Sequence, residues 1–239
     1  MTRPGPRPSG PKLSGRKYSG IAPEERVRRR RAAILESALE QFGTSGYAGA
    51  SIKQICRGAG VTERHFYESF PKREVCLAAL YDSLSEAMRT VTADALARTE
   101  PDLDALTAAG LEAFIRYLTD DPRRARVVLI EVVGVSPEME QRRHRVLRDF
   151  VDTVMATWAA DGNRTLARSE RLAATALVGG VNHLLVDWLM DGRRDDPADL
   201  VAVCVDLFAA VRARWDSPAA LSDTPRARSS GTAGGAPPD

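Results

Sequence analysis

The sequence predicts an all-α protein, and three observations carry that prediction. Apolar residues recur at three- and four-residue spacing along nearly the whole chain, the period of a half-buried helix. No segment alternates convincingly with the period of two that a half-buried strand needs. Of the 239 residues 44% are hydrophobic but only 6% aromatic, with alanine frequent, a composition that leans toward helix.

Each element has its own local signal. Ile34, Leu35, Ala38, Leu39 and Phe42 form one apolar stripe on a first helix that ends before Gly46. Ser51 and Gln54 are spaced as a capping box, and Ile52, Ile55, Cys56 and Ala59 give a two-turn helix stopped at Gly60. Thr62 caps a third helix, with Val61 and Phe66 in the spacing of a hydrophobic staple and Phe70 continuing inward until Pro71 ends it. Six further helices are predicted over 73–98, 102–119, 122–134, 137–160, 167–191 and 197–214, separated at Pro101, Pro122, Pro137, Gly162 and Gly192. The expectation is nine helices and no sheet.

Composition and charge then limit function. Cys56, Cys76 and Cys204 are widely spaced and form no C-x-x-C pair, which argues against a disulfide framework or a thiolate metal site and fits a reducing cytosol. The basic, Gly- and Pro-containing N-terminus never reaches an apolar h-region, so no secretory signal is expected. The longest apolar stretch, Leu172 to Met190, contains Asn182, His183 and Asp187 and is expected to be a buried helix, with no membrane partner. Net charge is +2, but residues 1–75 hold 15 Lys and Arg against 7 Asp and Glu, so the N-terminal third is basic and the remainder acidic. That asymmetry suggests nucleic acid on the basic part, although basic segments also occur without a polyanion partner. The expected organisation is a disordered basic arm (1–23), a helix-turn-helix unit (24–75), a second helical domain (76–216) and a disordered tail (217–239).

Two short helices joined through Gly60 behind a longer one form a helix-turn-helix pattern, in which the second short helix enters the major groove. The run from Arg31 to Tyr81, RAAILESALEQFGTSGYAGASIKQICRGAGVTERHFYESFPKREVCLAALY, resembles the N-terminal domain of the tetracycline-repressor (TetR) family of bacterial regulators. The resemblance rests on F-G-x-x-G-Y, the A-G-V-[ST] turn, the Phe66-Tyr67 pair and F-x-x-[KR]-E. It implies an all-helical homodimer with an N-terminal three-helix DNA-binding domain and a divergent ligand-binding and dimerisation domain. The implied partners are a double-stranded DNA operator, a second copy of the chain and a small-molecule effector of unknown identity.

Each candidate DNA-binding residue has a plainer alternative. By the resemblance Tyr67 bonds a phosphate; otherwise it is a half-buried packing tyrosine. Arg64 either takes a guanine edge bidentately or pairs with Glu68 one turn on. His65 touches a base or phosphate, or is simply solvated. Lys53, Lys72 and Arg73 suit phosphates, and Ser51 and Thr62 act as caps with phosphate contact in addition. Arg31 closes the run Arg28–Arg31, which with Arg16 and Lys17 either tracks the DNA backbone or an adjacent minor groove, or is a solvated face.

In the second domain Phe114, Tyr117, Arg126, Met155, Trp158, Asn182 and His183 are candidate pocket residues, with core packing the alternative for each. Leu177, Gly180 and Leu184 on one helix and Val203, Leu207 and Val211 on the last suit close helix packing, and the resemblance implies that these two helices build the dimer interface. Gly179-Gly180 within a helix suits close approach of another backbone, from a second copy or from the same chain.

No H-E-x-x-H, nucleophile elbow or phosphate loop occurs, so no enzymatic activity, cofactor or metal is expected. The expected function is a cytoplasmic, dimeric repressor released from a palindromic operator by an effector. The alternative is a ligand-independent or nucleoid-structuring DNA-binding protein whose second domain only dimerises.

Overall fold

In the computed structural model, residues 22–160 and 165–216 are described; the predicted arm, apart from its last two residues, the predicted tail, and Gly162 lie outside them. The elements are α1 (Pro23–Gly49), α2 (Ile52–Ala59), α3 (Glu63–Ser69), α4 (Arg73–Arg98), α5 (Leu103–Thr119), α6 (Pro122–Arg126), α7 (Pro137–Ala160), α8 (Arg168–Met190) and α9 (Pro197–Asp216). A π-helical turn, Val127–Glu131, directly continues α6. No strand occurs among the described residues.

The first three helices form as their local signals dictate. Regular α1 geometry breaks at Gly46, whose φ of 79° and ψ of 160° leave the helical region, and one short turn comes after it. At Ser51 the capping box is complete: the Gln54 N–H donates to Ser51 Oγ at 3.2 Å, and the Ser51 N–H donates to Gln54 Oε1 at 2.9 Å. Gly60 ends α2 in the left-handed region, φ 64°, which a Cβ would disfavour, and Thr62 caps α3. Ile34, Phe42, Ile55, Phe66, Phe70 and Leu77 are fully buried and bring α1, α2, α3 and the start of α4 around one core. Their burial is the main term holding the reading helix in place.

The remaining helices build a larger bundle. α5 packs between α4 and α9, α7 against α8, and α1 reaches across to α6 and the π turn. The predicted helix over 122–134 is corrected here: it is α6, then the π turn, then a loop containing Gly134 at φ 71°. The apolar run Val127–Ile130 looks the same whether the backbone closes i→i+4 or i→i+5, so periodicity did not reveal the change.

A second correction concerns α8. It is long and apolar enough by composition to cross a membrane, yet it is not the buried helix expected, because only 22% of its apolar window is buried and Leu172 and Met190 are exposed. All three cysteines are free and buried, and burial pushes the Cys76 thiol up to about 12 and Cys204 to about 11, which keeps both protonated.

Candidate nucleic-acid interface and ligand cavity

The reading face is built by α3. Phe66 is fully buried and pairs with Phe70 at 5.7 Å between ring centroids, so the helix is anchored from below. On the outer side Tyr67 is 51% exposed, and the Arg64 side chain is 86% exposed with its Nε donating to Glu68 Oε1 at 3.1 Å. An exposed pair of this kind contributes only about 0.3–0.5 kcal/mol, so Arg64 exchanges it readily for another acceptor. Lys53 on α2 and Lys72, just before α4, are exposed beside this face, and Ser51 and Thr62 stand at the starts of α2 and α3. His65 is half-buried; its N–H donates to Thr62 Oγ1 and its carbonyl accepts from the Ser69 hydroxyl.

Two expected DNA contacts have other work. Arg73 is half-buried, lies 4.3 Å from the centroid of the Tyr47 ring and donates to the Ala50 carbonyl, so it pins the start of α4 to the end of α1. Arg31 stacks 4.2 Å over Phe70 and donates to the Ser69 carbonyl at 3.2 Å, holding the last residue of α3. Further along the same run, Arg28 and Arg29 pair with Glu25.

A cavity of about 100 Å³ lies within the larger bundle, with walls from α4, α5, the π turn, α7, α8 and α9. Apolar residues dominate it, among them Met88, Leu111, Phe150 and Val181. Phe114, Trp158 and Asn182 line it as expected, whereas Tyr117, Arg126, Met155 and His183 do not. Tyr117 is covered instead by the Arg124 guanidinium at 4.7 Å. Met155 and His183 each sit one residue past a lining position, a turn of about 100° around the helix axis.

Arg126 belongs to a polar cluster between α1 and the π turn that sequence reasoning missed. Its Nε donates to Glu131 Oε1 at 2.8 Å and its Nη1 to the Thr44 carbonyl at 3.0 Å, while the Tyr47 N–H donates to Glu131 Oε2 at 2.6 Å. Beside it Arg123 bridges Glu40 on α1 at 2.6 Å and Asp121 at 2.7 Å. The end of α1 is therefore clasped by α6 and the π turn. Two residues of that same turn, Val128 and Leu129, form part of the cavity wall.

On the outside of the bundle α8 and α9 enclose an open groove of about 560 Å³. Leu177, Gly180, Leu184, Val203, Leu207 and Val211 all line it, together with His183 and Asp187. Val203 and Leu207 are each about half exposed, and a Cβ built at Gly179 or Gly180 meets no atom within 4 Å, so neither glycine has a close intramolecular partner among the described residues.

The sequence profile described as "Bacterial regulatory proteins, tetR family" matches residues 34–80, the segment from the middle of α1 to the first turns of α4. Residues 34–80 thus carry the tetR-family helix-turn-helix pattern. The uncharacterized HTH-type transcriptional regulator YdgC of Bacillus subtilis is 25% identical to it over 184 residues, covering 74% of this chain and 90% of that protein. Among solved structures, the fatty acid degradation regulator FadR from Bacillus halodurans superposes with a TM-score of 0.68 at 19% identity, covering 77% of this chain and 96% of that one. FadR from Bacillus subtilis, solved in complex with stearoyl-CoA, has a TM-score of 0.64 at 19% identity, with 74% and 96% covered. These likenesses establish the all-helical fold of the regulator, with its helix-turn-helix unit at the N-terminal end. Its relatives are DNA-binding transcriptional regulators, and so is this chain, which is not an enzyme.

Glu131 had one visible signal in the sequence: a lone carboxylate among apolar positions of a helical run. Its partner Tyr47 lies 84 residues away, a separation that no local pattern reports.

Proposed function

We propose that this regulator is a cytoplasmic homodimer that represses transcription from a palindromic operator and is released from it by a small-molecule effector. In this reading residues 24–75 bind DNA, with Arg64 reading a base edge and Tyr67, Lys53 and Lys72 contacting phosphates. Ser51, Thr62 and His65 add contacts at the two helix starts, and Arg31 and Arg73 act chiefly by fixing α3 and α4. Residues 76–216 hold the effector and dimerise through the α8–α9 groove, and residues 1–23 and 217–239 flank the folded body.

The observation that carries the reading is the shared π turn. Val128 and Leu129 touch the cavity while Glu131, on the same turn, holds the end of α1, so a ligand that shifts the cavity wall changes a contact with the helix-turn-helix unit. The stearoyl-CoA complex of Bacillus subtilis FadR supports effector binding in a bundle of this fold. Support for dimerisation comes from the exposed apolar groove and from Gly180 within it, where a Cβ would meet no atom within 4 Å.

The test is footprinting of the full chain on DNA selected from a random pool. Two symmetric protections about one helical turn apart are expected. One unsymmetrical half-site occupied by a monomer would overturn the dimeric reading. Ligands found by thermal shift must also weaken operator binding, and tight ligands that leave it unchanged would overturn effector release.

A further inference from the structure

The cavity has a direction. It touches α4 from Tyr81 to Leu96 and α7 from Arg143 to Trp158, spans of about 22 Å on each helix at 1.5 Å rise per residue. These two helices run parallel, because Arg142 pairs with Asp82 and Arg89 with Asp149, both across 60 residues. Tyr81 and Arg143 therefore mark one end of the cavity, and Leu96 and Trp158 the other. The Arg171–Asp152 pair sets the antiparallel register of α8 on α7 and brings Asn182 level with residues 141–143, at the Tyr81 end.

The two ends differ in chemistry. At the first, the Asn182 amide makes no hydrogen bond among the described residues. Arg143 donates only to Glu140, at 2.7 Å, which leaves N–H groups of its fork without partners. At the second end Leu96, Leu106, Trp158 and Phe208 close in, and the hydroxyls of Thr92, Thr153 and Thr157 donate to carbonyls of their own helices, so Thr107 holds the one unpaired hydroxyl there among the described residues. Between these ends the walls are almost wholly apolar side chains, so what lies along them is hydrocarbon.

From this asymmetry we infer that the cavity takes a single unbranched acyl chain, its carboxyl oxygens accepting from Arg143 and Asn182 and its tail running along α4 and α7 toward Leu96 and Trp158. A zig-zag of ~1.5 Å carbon–carbon bonds advances about 1.25 Å per bond, so the span accepts at most about 18 carbons. A free carboxylate offers the Arg143 guanidinium and the Asn182 amide a charged two-oxygen acceptor that a thioester carbonyl does not, which favours the free acid over its coenzyme A thioester. Gly110 on α5 sets the depth: a Cβ there lies 3.2 Å from Leu96 Cδ2, so a larger side chain fills the far end of the channel.

The assignment deepens the effector-release reading and is tested by binding first and release second. Decanoate, dodecanoate, hexadecanoate and eicosanoate are titrated into the full chain by calorimetry, with deoxycholate as a wide amphipathic acid and dodecanoyl-CoA as the thioester. Affinity is expected to rise from decanoate to hexadecanoate and to fall at least ten-fold at eicosanoate, with deoxycholate and dodecanoyl-CoA at least ten-fold weaker than dodecanoate. Arg143→Gln and Asn182→Leu should each weaken dodecanoate several-fold. Gly110→Leu should exclude hexadecanoate while sparing decanoate, and Leu96→Phe provides the same test if that variant does not fold. Deoxycholate or the thioester binding as tightly as dodecanoate, no binding of any acid, or equal losses for long and short acids in the plugged variant would each overturn the assignment. If the acids bind as expected but leave the operator complex intact, the ligand class stands and effector release falls.

Discussion

The carboxylate of Glu131 accepts the backbone N–H of Tyr47 at 2.6 Å, one residue past the break in α1 at Gly46. Its side chain is only 12% exposed and is also held by Arg126, so it is a charged acceptor in a largely dry position. Removing it by Glu131→Ala leaves the Tyr47 N–H and part of the Arg126 fork without their acceptor. A loss of about 1–3 kcal/mol in urea unfolding is expected, with a smaller loss for Glu131→Gln, which keeps an oxygen. Unchanged stability in the alanine variant would show that these contacts do not hold α1.

Helix α2 approaches α1 so closely that a Cβ at Gly58 would stand 2.3 Å from Ser37 Oγ, a buried hydroxyl that donates to the Ile55 carbonyl at 2.9 Å. Gly58→Ala should therefore destabilise by about 1–3 kcal/mol, as overpacking in a filled core does. The loss should be partly recovered in Gly58→Ala with Ser37→Ala, because residues in contact are not additive. Additive losses in a double-mutant cycle would contradict the close contact.

Arg64 and Tyr67 are exposed, so their substitution tests DNA contact without disturbing the core. Arg64→Ala should weaken the operator by about 1–3 kcal/mol, relax preference at one base pair per half-site and leave the melting temperature unchanged. Tyr67→Phe and Lys72→Ala should instead weaken operator and random DNA alike. Binding measured on both DNAs separates the two roles, and equal losses for Arg64→Ala remove it from base reading.

Hydrogen bonds and charge from Arg123 hold the Asp121 carboxyl below its ordinary value of 3.8, against the opposing effect of burial. The folded state thus favours the ionised form. The stabilisation is present in full above about pH 4, where the unfolded group is also ionised, and is lost as pH falls through the lower folded value. Unfolding of wild type and Asp121→Asn should differ most near neutrality and converge in acid. A gap that stays constant down to pH 3 would show that Asp121 acts without its charge.

Leu207 lies in the α8–α9 groove, away from the cavity and the reading face. Leu207→Arg should yield a folded monomer in sedimentation, with operator affinity reduced by more than ten-fold. A dimer of unchanged stability would move the interface elsewhere.

What the sequence made legible was local. The Ser51–Gln54 box, the Thr62 cap and the Gly60 turn involve groups two or three residues apart, so reading them needs no tertiary structure. Arg73 suits a phosphate in the sequence, and Arg31 the DNA backbone, a minor groove or a solvated face; their bonds to the carbonyls of Ala50 and Ser69 join distant segments and have no local sequence signal. Asn182 and His183 are adjacent in sequence but face the cavity and the outer groove respectively, a distinction that requires the helix to be placed before its faces can be named. The exposed face of α8 was misjudged for a related reason: an apolar helix buried by its own chain and one left bare by it have the same composition.

The π turn at Val127–Glu131 also has a genetic reading. An i→i+5 ladder holds one residue more than the i→i+4 ladder of an α-helix, so the turn is equivalent to a single-codon insertion in an otherwise α-helical segment. Deleting one codon there lets the ladder close as α-helix, and because five residues of a π turn sweep nearly the same angle as four of an α-helix, the change is confined to the turn itself. Within the turn the retained residues are re-aimed, so the one deletion alters both the Glu131–Tyr47 contact and the wall at Val128 and Leu129. Grip on α1 and shape of the ligand wall are thus gained or lost in one indel step, a coupling that point substitutions at either place cannot reproduce.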